Sequence, residues 1–275
     1  MPMAEEIRRL FPKRAADSHK GTYGTVLTVC GKEGMAGACI LSAKAAFRCG
    51  AGLVACAVPR CIYPVVAVAV PEAVFSVDND EAYLKKASAV LVGCGLGNDE
   101  EARRRVAAVL SRCCVPVVVD ADGINALSQH ILTEKETEAL PMILTPHPAE
   151  LARLLACSVA HVQGDRDNAA VEAARRYHAV VVLKGHQTVI ADENGVFYRN
   201  QTGNPGLATA GSGDVLAGMI VSLLAQGLSL RDAARCGVYF HGLAGDRAAH
   251  KLSQHALMAS DLLLELPSLF LEIET

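Results

Sequence analysis

The sequence predicts an α/β fold with a mostly parallel central sheet and helices on both faces, three layers in all (αβα). Three observations carry this expectation. Of 275 residues, 51% are hydrophobic and 20% charged, enough apolar side chain for a sizeable core. Short apolar runs, many rich in β-branched residues, recur at 25–30, 52–59, 89–95, 115–121, 142–146, 179–185 and 188–192. Helical patterns lie among them, at 35–50, 99–111, 147–156, 165–178, 212–226, 229–250 and 259–271.

The elements follow in order. TVLTVC (25–30) is apolar on both faces, as a covered parallel strand requires. MAGACILSAKAAFRCG (35–50) is Ala-rich, lacks Pro and closes on Gly50, a helix stop. GLVACAVP (52–59) is the next strand, and strand and helix patterns then alternate to residue 185. ENG at 193–195 sits between two strand patterns and predicts a hairpin near the sheet edge. No long linker, repeat or low-complexity segment interrupts the chain, so one domain over 1–275 is expected.

Composition narrows the function. Net charge is −3 with no basic stripe, which gives nucleic acid no footprint. The charged start MPMAEEIRRLFPKR has no apolar signal core, and no apolar run approaches the ~20 residues that span a bilayer. Ten cysteines include no CxxC pair, and Cys30, Cys56 and Cys94 fall within or beside apolar runs. These features predict reduced core thiols in a cytoplasmic protein.

The richest stretch is GNPGLATAGSGDVLAGMIVSLLAQG (203–227), a glycine loop running into an apolar helix. Its glycines let backbone approach an anion. Ser212, Gly213 and Asp214 open the helix, where free N–H groups and the positive dipole end favour phosphate. Asp214 has two readings: a helix-start stabiliser, or a general base for a substrate hydroxyl beside an anion hole.

Other strand ends carry candidates with paired readings. GxxxxGK[ST] is absent, which argues against a P-loop enzyme. GCGLG (93–97) resembles a dinucleotide fingerprint, but Asn98 breaks it; a tight ligand-lining turn remains. TPHPAE (145–150) fixes His147 between two prolines, as a ligand contact or as helix-start punctuation with Glu150. Asp120 and Asp122 in VVVDADGIN (117–125) could orient Mg²⁺ or ribose hydroxyls, or cap the next helix. Lys184 in LKGHQTVI (183–190) is a phosphate partner or an exposed lysine. His19 and Lys20 in SHKGTYG (18–24) could form a mobile anion-contacting loop. His241 and Asp246 are read as structural, and no histidine has metal-ligand spacing.

Together these segments resemble the NAD(P)H-hydrate dehydratases of the ribokinase-like superfamily. SHKGTYG, GMAGACILSAKAAFRCGAGLV, GCGLG, DADGIN, ILTPHPAE, VLKGHQTVI and GNPGLATAGSGDVLAG occur in that family's order, covering about residues 17–265. NPG…AGSGDVLAG and TPHPAE are the most specific; GSGD alone marks only the superfamily. The resemblance implies a repair lyase for the S epimer of hydrated NADH or NADPH. It would phosphorylate the ring's C6 hydroxyl and expel phosphate, giving NAD(P)H and, with ADP as donor, AMP and phosphate. ADP is expected over ATP because the chain looks like the stand-alone bacterial type.

Residue by residue, the resemblance makes Asp214 the catalytic base and Gly211, Ser212 and Gly213 the anion hole. Lys184, Gly185, His186, Gln187, Thr188 and Gly213 match nucleotide contacts. Ala38, Gly97, His147, Asn125 and Asp214 match the substrate side. Two positions depart from the pattern: Ser212 where Thr is common, and Cys94 where Pro is usual. Only about 17 residues precede the resemblance, so no N-terminal epimerase domain is expected and the epimerase would be a separate partner. A homotetramer is implied. Mg²⁺ is expected with any nucleotide phosphoryl donor, although no carboxylate cage is visible. Two alternatives share the GSGD loop: a small-molecule kinase for a hydroxymethylpyrimidine or thiazole alcohol, and a non-catalytic nucleotide-binding regulator.

Overall fold

A computed structural model describes residues 5–274; residues 1–4 and 275 of the expected 1–275 domain lie outside the described residues. The strands are β1 (Thr25–Val29), β2 (Leu53–Val58), β3 (Val74–Val77), β4 (Ala89–Val92), β5 (Val117–Val119), β6 (Met142–Leu144), β7 (Ala179–Leu183), β8 (Val189–Asp192) and β9 (Gly195–Arg199). The helices are α1 (Glu5–Leu10), α2 (Ala36–Arg48), α3 (Tyr63–Ala69), α4 (Glu100–Arg112), α5 (Asp122–Leu127), α6 (Glu134–Ala139), α7 (Pro148–Leu155), α8 (Val159–Gly164), α9 (Arg166–Tyr177), α10 (Ser212–Ala225), α11 (Leu230–Leu252) and α12 (Ala259–Glu274). Among the described residues no helix is long and apolar enough to cross a membrane.

The strands form one sheet in the order β3-β2-β1-β4-β5-β6-β7-β8-β9. Neighbours from β3 through β7 pair in parallel, while β7–β8 and β8–β9 are antiparallel. The ENG hairpin therefore forms as expected: Asp192 faces Gly195 across the turn, and β9 is the edge. The sequence reading had no strand at 74–77 and no helix at 63–69. That apolar stretch divides into α3, started by Pro64, and the partly exposed edge strand β3.

Strand pleating feeds two cores. Val54, Cys56 and Val58 point into a core that includes residues of α2, α10, α11 and α12. Ala55 and Ala57 point into a second core that includes residues of α4, α5, α7 and α9. Burial on both faces explains why these strands are uninterrupted apolar runs rather than alternating ones. All ten cysteines are free, and Cys30, Cys39, Cys49, Cys56, Cys94 and Cys236 are buried, as the core-thiol reading expected.

The largely buried helix α10 is held closely against α2. The Ser222 hydroxyl donates to Ala46 O (2.8 Å) and accepts from Ala51 N (3.1 Å). A Cβ on Gly218 would stand 2.2 Å from Ser42 O and 2.9 Å from the Ala45 Cβ. That approach fixes where the N-terminus of α10 meets the sheet. In a free helix Gly→Ala is favourable by ~1 kcal/mol, but here backbone must shift. Gly218→Ala is expected to lower stability by about 1–3 kcal/mol, the usual range for overpacking. A melt at or above the wild-type Tm would contradict this packing account.

Candidate active site

In an open parallel sheet, ligand groups gather beyond the carboxyl ends of the strands. Here Cys94 follows β4, Asp120 follows β5, Thr145 follows β6 and Lys184 follows β7. Asp120 is buried, so its charge needs partners. Lys184 Nζ and Thr145 Oγ1 each donate to Asp120 Oδ1 at 2.7 Å, and the Cys94 thiol donates toward Oδ2 at 3.6 Å. Burial opposes the Lys184 charge, but Asp120 and then Glu150 outweigh it and hold the ammonium above its ordinary value. Lys184 is thus neither a free surface lysine nor an unpaired phosphate ligand.

The glycine loop delivers α10 to the same place. Gly211 is left-handed (φ 88°), and a Cβ there would lie 2.5 Å from Leu41 Cδ1. Val215 N is bonded to Gly211 O and Ser212 N to Thr209 O (3.4 Å), so of the predicted helix-start donors the amides of Gly213 and Asp214 precede the first regular helical bond without a loop partner of that kind. A Cβ on Gly213 would sit 3.3 Å from Lys184 Nζ, so glycine keeps this amide and the ammonium on one open face. His241 Nε2 donates to Ser212 O (2.9 Å) and lies 3.1 Å from Ser212 Oγ. Burial pushes its pKa down to about 4, so it is a neutral brace. Asp246 accepts from Gly203 N (2.9 Å) and Asn204 Nδ2 (3.0 Å), tying the loop to α11. Both residues are structural, as read from the sequence, but what they support is the anion turn.

Asp214 stands in the first turn of α10. An oxygen of its carboxylate, one of Asp120 and the Cys94 Sγ lie within 4.8 Å of one another. Burial first, then the Asp120 charge, push the Asp214 pKa up to about 6, against the Cys94 hydrogen bond and Lys184. A bare helix-start stabiliser would be held low by the dipole; burial instead raises this carboxyl toward the range that suits a general base near neutrality.

A cavity of about 920 Å³ opens beside these groups. It brings together Lys184, Gly185, His186, Gln187, Thr188, Ser212 and Gly213, and His147 at one side. Sequence reasoning missed much of its apolar wall, including Leu207, Leu216 and Val238, which carry no signal beyond ordinary core patterning. Gly211, Asp214, Ala38, Gly97 and Asn125 are not in that lining. A Cβ on Gly95 would touch Ala38 Cβ at 2.8 Å, which sets the GCGLG turn against α2. Gly97 N donates to Asp122 Oδ2 (2.7 Å), Asn125 Nδ2 to Asp122 Oδ1 (3.4 Å), and Arg153 to Asn125 Oδ1 (2.9 Å). These residues form a separate polar rim, and Asp214 feels Asp122 from that rim as well as Lys184 from the cavity side.

Two paired readings resolve. His147 caps α7: its Nδ1 accepts from Ala149 N (3.1 Å) and Glu150 N (3.3 Å), while its ring still faces the cavity. Burial, Lys184 and Arg153 keep its pKa low. SHKGTYG lies at the other end of the sheet, ahead of β1. His19 caps a 3₁₀ turn over Lys20–Tyr23, and a Cβ on Gly24 would strike Ala225 O at the far end of α10. The loop is therefore built into the opposite end of this chain, not into the anion site.

Comparison with known proteins agrees with this geometry. A family profile described as NAD(P)H-hydrate dehydratase matches residues 26–268. The ADP-dependent (S)-NAD(P)H-hydrate dehydratase of Neisseria meningitidis is 45% identical over 86% of this chain and 81% of its own. The ADP/ATP-dependent NAD(P)H-hydrate dehydratase of Bacillus subtilis, co-crystallised with ATP and Mg²⁺, superposes with a TM-score of 0.88 at 34% identity, covering 98% of this chain and 96% of its own. A ribokinase-like superfamily protein of Enterococcus faecalis gives a TM-score of 0.89 at 27% identity, over 98% and 95% of the two chains. The chain spans about half the length of bifunctional NAD(P)H-hydrate repair enzymes such as that of Moorella thermoacetica, to which it is 44% identical over 97% of its own length. With a ribokinase-like sheet, a matching profile over most of its length and relatives of this identity, the chain belongs to the NAD(P)H-hydrate dehydratase family.

Proposed function

We propose that this chain is a nucleotide-dependent (S)-NAD(P)H-hydrate dehydratase with ADP as phosphoryl donor. One observation carries the reading: an under-compensated carboxylate, Asp214, stands in the first turn of α10 beside an ammonium and a cavity of nucleotide size. The name of the meningococcal relative supports ADP. Lys184–Thr188 and Gly213 bind the nucleotide. Ala38, Gly97 and Asn125 hold the hydrated dinucleotide along the rim, and His147 holds it from the cavity side. Asp214 stands between the two groups.

In this reading Asp214 takes the proton of the C6 hydroxyl. The hydroxyl oxygen bonds to the terminal phosphorus, and the bond from that phosphorus to its bridging oxygen breaks, releasing AMP. The amides of Gly211 and Gly213, with the dipole of α10, face the charge that develops, and Ser212 N joins them by leaving its 3.4 Å bond to Thr209 O; loss of one such donor elsewhere costs about 3–4 kcal/mol. Phosphate then leaves C6 with its electron pair, and a proton lost from C5 restores the ring double bond. Phosphate leaves far more readily than hydroxide, which is why nucleotide cleavage drives the dehydration.

Mg²⁺ deserves a separate test against the side chains. The Cys94 thiol is a poor donor for a hard ion, and Lys184 and Thr145 already occupy Asp120 Oδ1. These groups do not make a resident Mg²⁺ site, so the ion would arrive on the nucleotide's phosphates. One sheet running from β3 to β9 supports a single functional domain. Ten free cysteines favour a reducing, cytoplasmic setting. The assembly proposed is a homotetramer. A separate epimerase would supply the S epimer.

A kinase of the same fold would release a stable phosphomonoester; this reading requires free phosphate and recovered reduced nicotinamide absorbance when hydrated NADH is mixed with ADP. Asp214→Asn is expected to lower turnover about 10²–10⁴-fold, the range for a positioned base, with ADP affinity little changed; near-normal turnover would remove Asp214 from the base role. Because the working form is the carboxylate, kcat/KM should rise with pH and level off above about 6. The raised pKa also means that ionisation opposes folding. The stability advantage of Asp214→Asn over wild type should therefore grow as pH rises from about 4 to about 6. Lys184→Ala should weaken ADP binding; unchanged affinity in a calorimetric titration would exclude it from the site.

A further inference from the structure

One guanidinium outside the cavity lining is pressed onto the nucleotide segment. Asp165 caps α9, accepting from Asn168 N (3.1 Å), and Arg166 is the first residue of that helix. Arg166 Nη2 donates to Leu183 O (3.1 Å) and to Lys184 O (3.4 Å), at the end of β7. Gly185 (φ 138°) follows, and a Cβ there would lie 2.8 Å from Arg166 Nη1. Among the described residues no carboxylate pairs with Arg166: the adjacent Asp167 is taken at both oxygens by Arg199 (2.6 and 2.7 Å). Arg166 Nε is buried with no hydrogen-bond partner. A buried donor left unmet costs stability, so stability alone does not favour this arrangement.

We infer that Arg166 is a positioning residue for the nucleotide segment: it turns the Lys184–Gly185 peptide so that the Gly185 N–H is presented to a phosphate of the donor nucleotide. This rests on the reading of Lys184–Thr188 as the nucleotide side. The geometry of one peptide carries the inference. The bond is trans and planar, so its N–H points opposite its C=O. With Lys184 O held by Arg166, the Gly185 N–H points away from the guanidinium. Among the described residues that N–H has no acceptor, while the groups around it are committed. Lys184 N donates to Pro146 O (2.8 Å), and the Thr188 hydroxyl closes the turn onto Gly185 O (3.0 Å). Lys184, Gly185 and Thr188 line the cavity, and Arg166 does not. A free backbone amide at such a cavity suits an anion, and Arg166 acts on it only through the peptide.

The test is kcat and KM for each substrate, with calorimetric ADP titrations, for wild type, Arg166→Met and Arg166→Lys, each checked by melting. Arg166→Met frees the peptide and should raise KM and Kd for ADP about tenfold, the weight of one hydrogen bond to a charged group, with KM for hydrated NADH within about twofold. A merely structural role would not separate the two substrates in this way. Arg166→Lys keeps the charge but not the planar group that meets two carbonyls and Gly185, so KM for ADP should stay raised at least about threefold. A folded Arg166→Met with wild-type KM for ADP overturns the proposal. So does full recovery in Arg166→Lys, which would leave charge as the whole effect. Should neither variant fold, the wild-type Gly185 amide proton decides: ADP should move it downfield in a ¹H–¹⁵N spectrum, and an unmoved resonance overturns the proposal. A wild-type protein that binds no ADP would instead sink the nucleotide reading itself, whatever Arg166 does.

Discussion

Two carboxylates and one ammonium share a buried corner where β4, β5 and β7 end, and the chemistry follows from that imbalance. Lys184 is spent on Asp120, whose burial would otherwise be prohibitive; breaking such a pair typically costs about 3–5 kcal/mol. Asp214 is left with burial, a neighbouring negative charge and a thiol. A carboxyl so placed keeps a proton to higher pH than a surface aspartate, and so becomes a competent base near neutrality. The helix dipole at the start of α10 is of the kind that favours an anionic group.

The fold exists to hold that corner still. Parallel strands buried on both faces deliver Cys94, Asp120, Thr145 and Lys184 from four successive carboxyl ends. The close crossing of α10 on α2 sets the height of the helix start, and Gly211 turns the chain into it. His241 and Asp246, both on α11, brace the turn and its loop from behind.

Much of this was legible in the sequence, for physical reasons. Doubly buried strands are continuous apolar runs, and β1, β2, β4, β5, β6, β7 and β8 all carry that mark. Glycines required by left-handed or crowded backbone, such as Gly211, also stand out against an apolar helix. What stayed hidden was pairing across the chain. Asp120 looked equally suited to a metal, a ribose or a cap, because its partner Lys184 lies 64 residues away. Cys94 looked like one more core thiol, since only the folded turn brings it to Asp214. SHKGTYG looked like a ligand loop because its residue types suit anions, yet its position before β1 commits it to the other end of the sheet. The edge strand β3 escaped because Val74–Val77 is half exposed and merges with the apolar run of α3.

The most direct measurement is a titration of the Asp214 carboxyl by ¹³C NMR on protein labelled at aspartate Cγ, assigned with Asp214→Asn. The account expects one resonance, missing in that variant, to titrate near pH 6. A resonance titrating near 4, the ordinary aspartate range, would mean that Asp214 is fully compensated and is not the base.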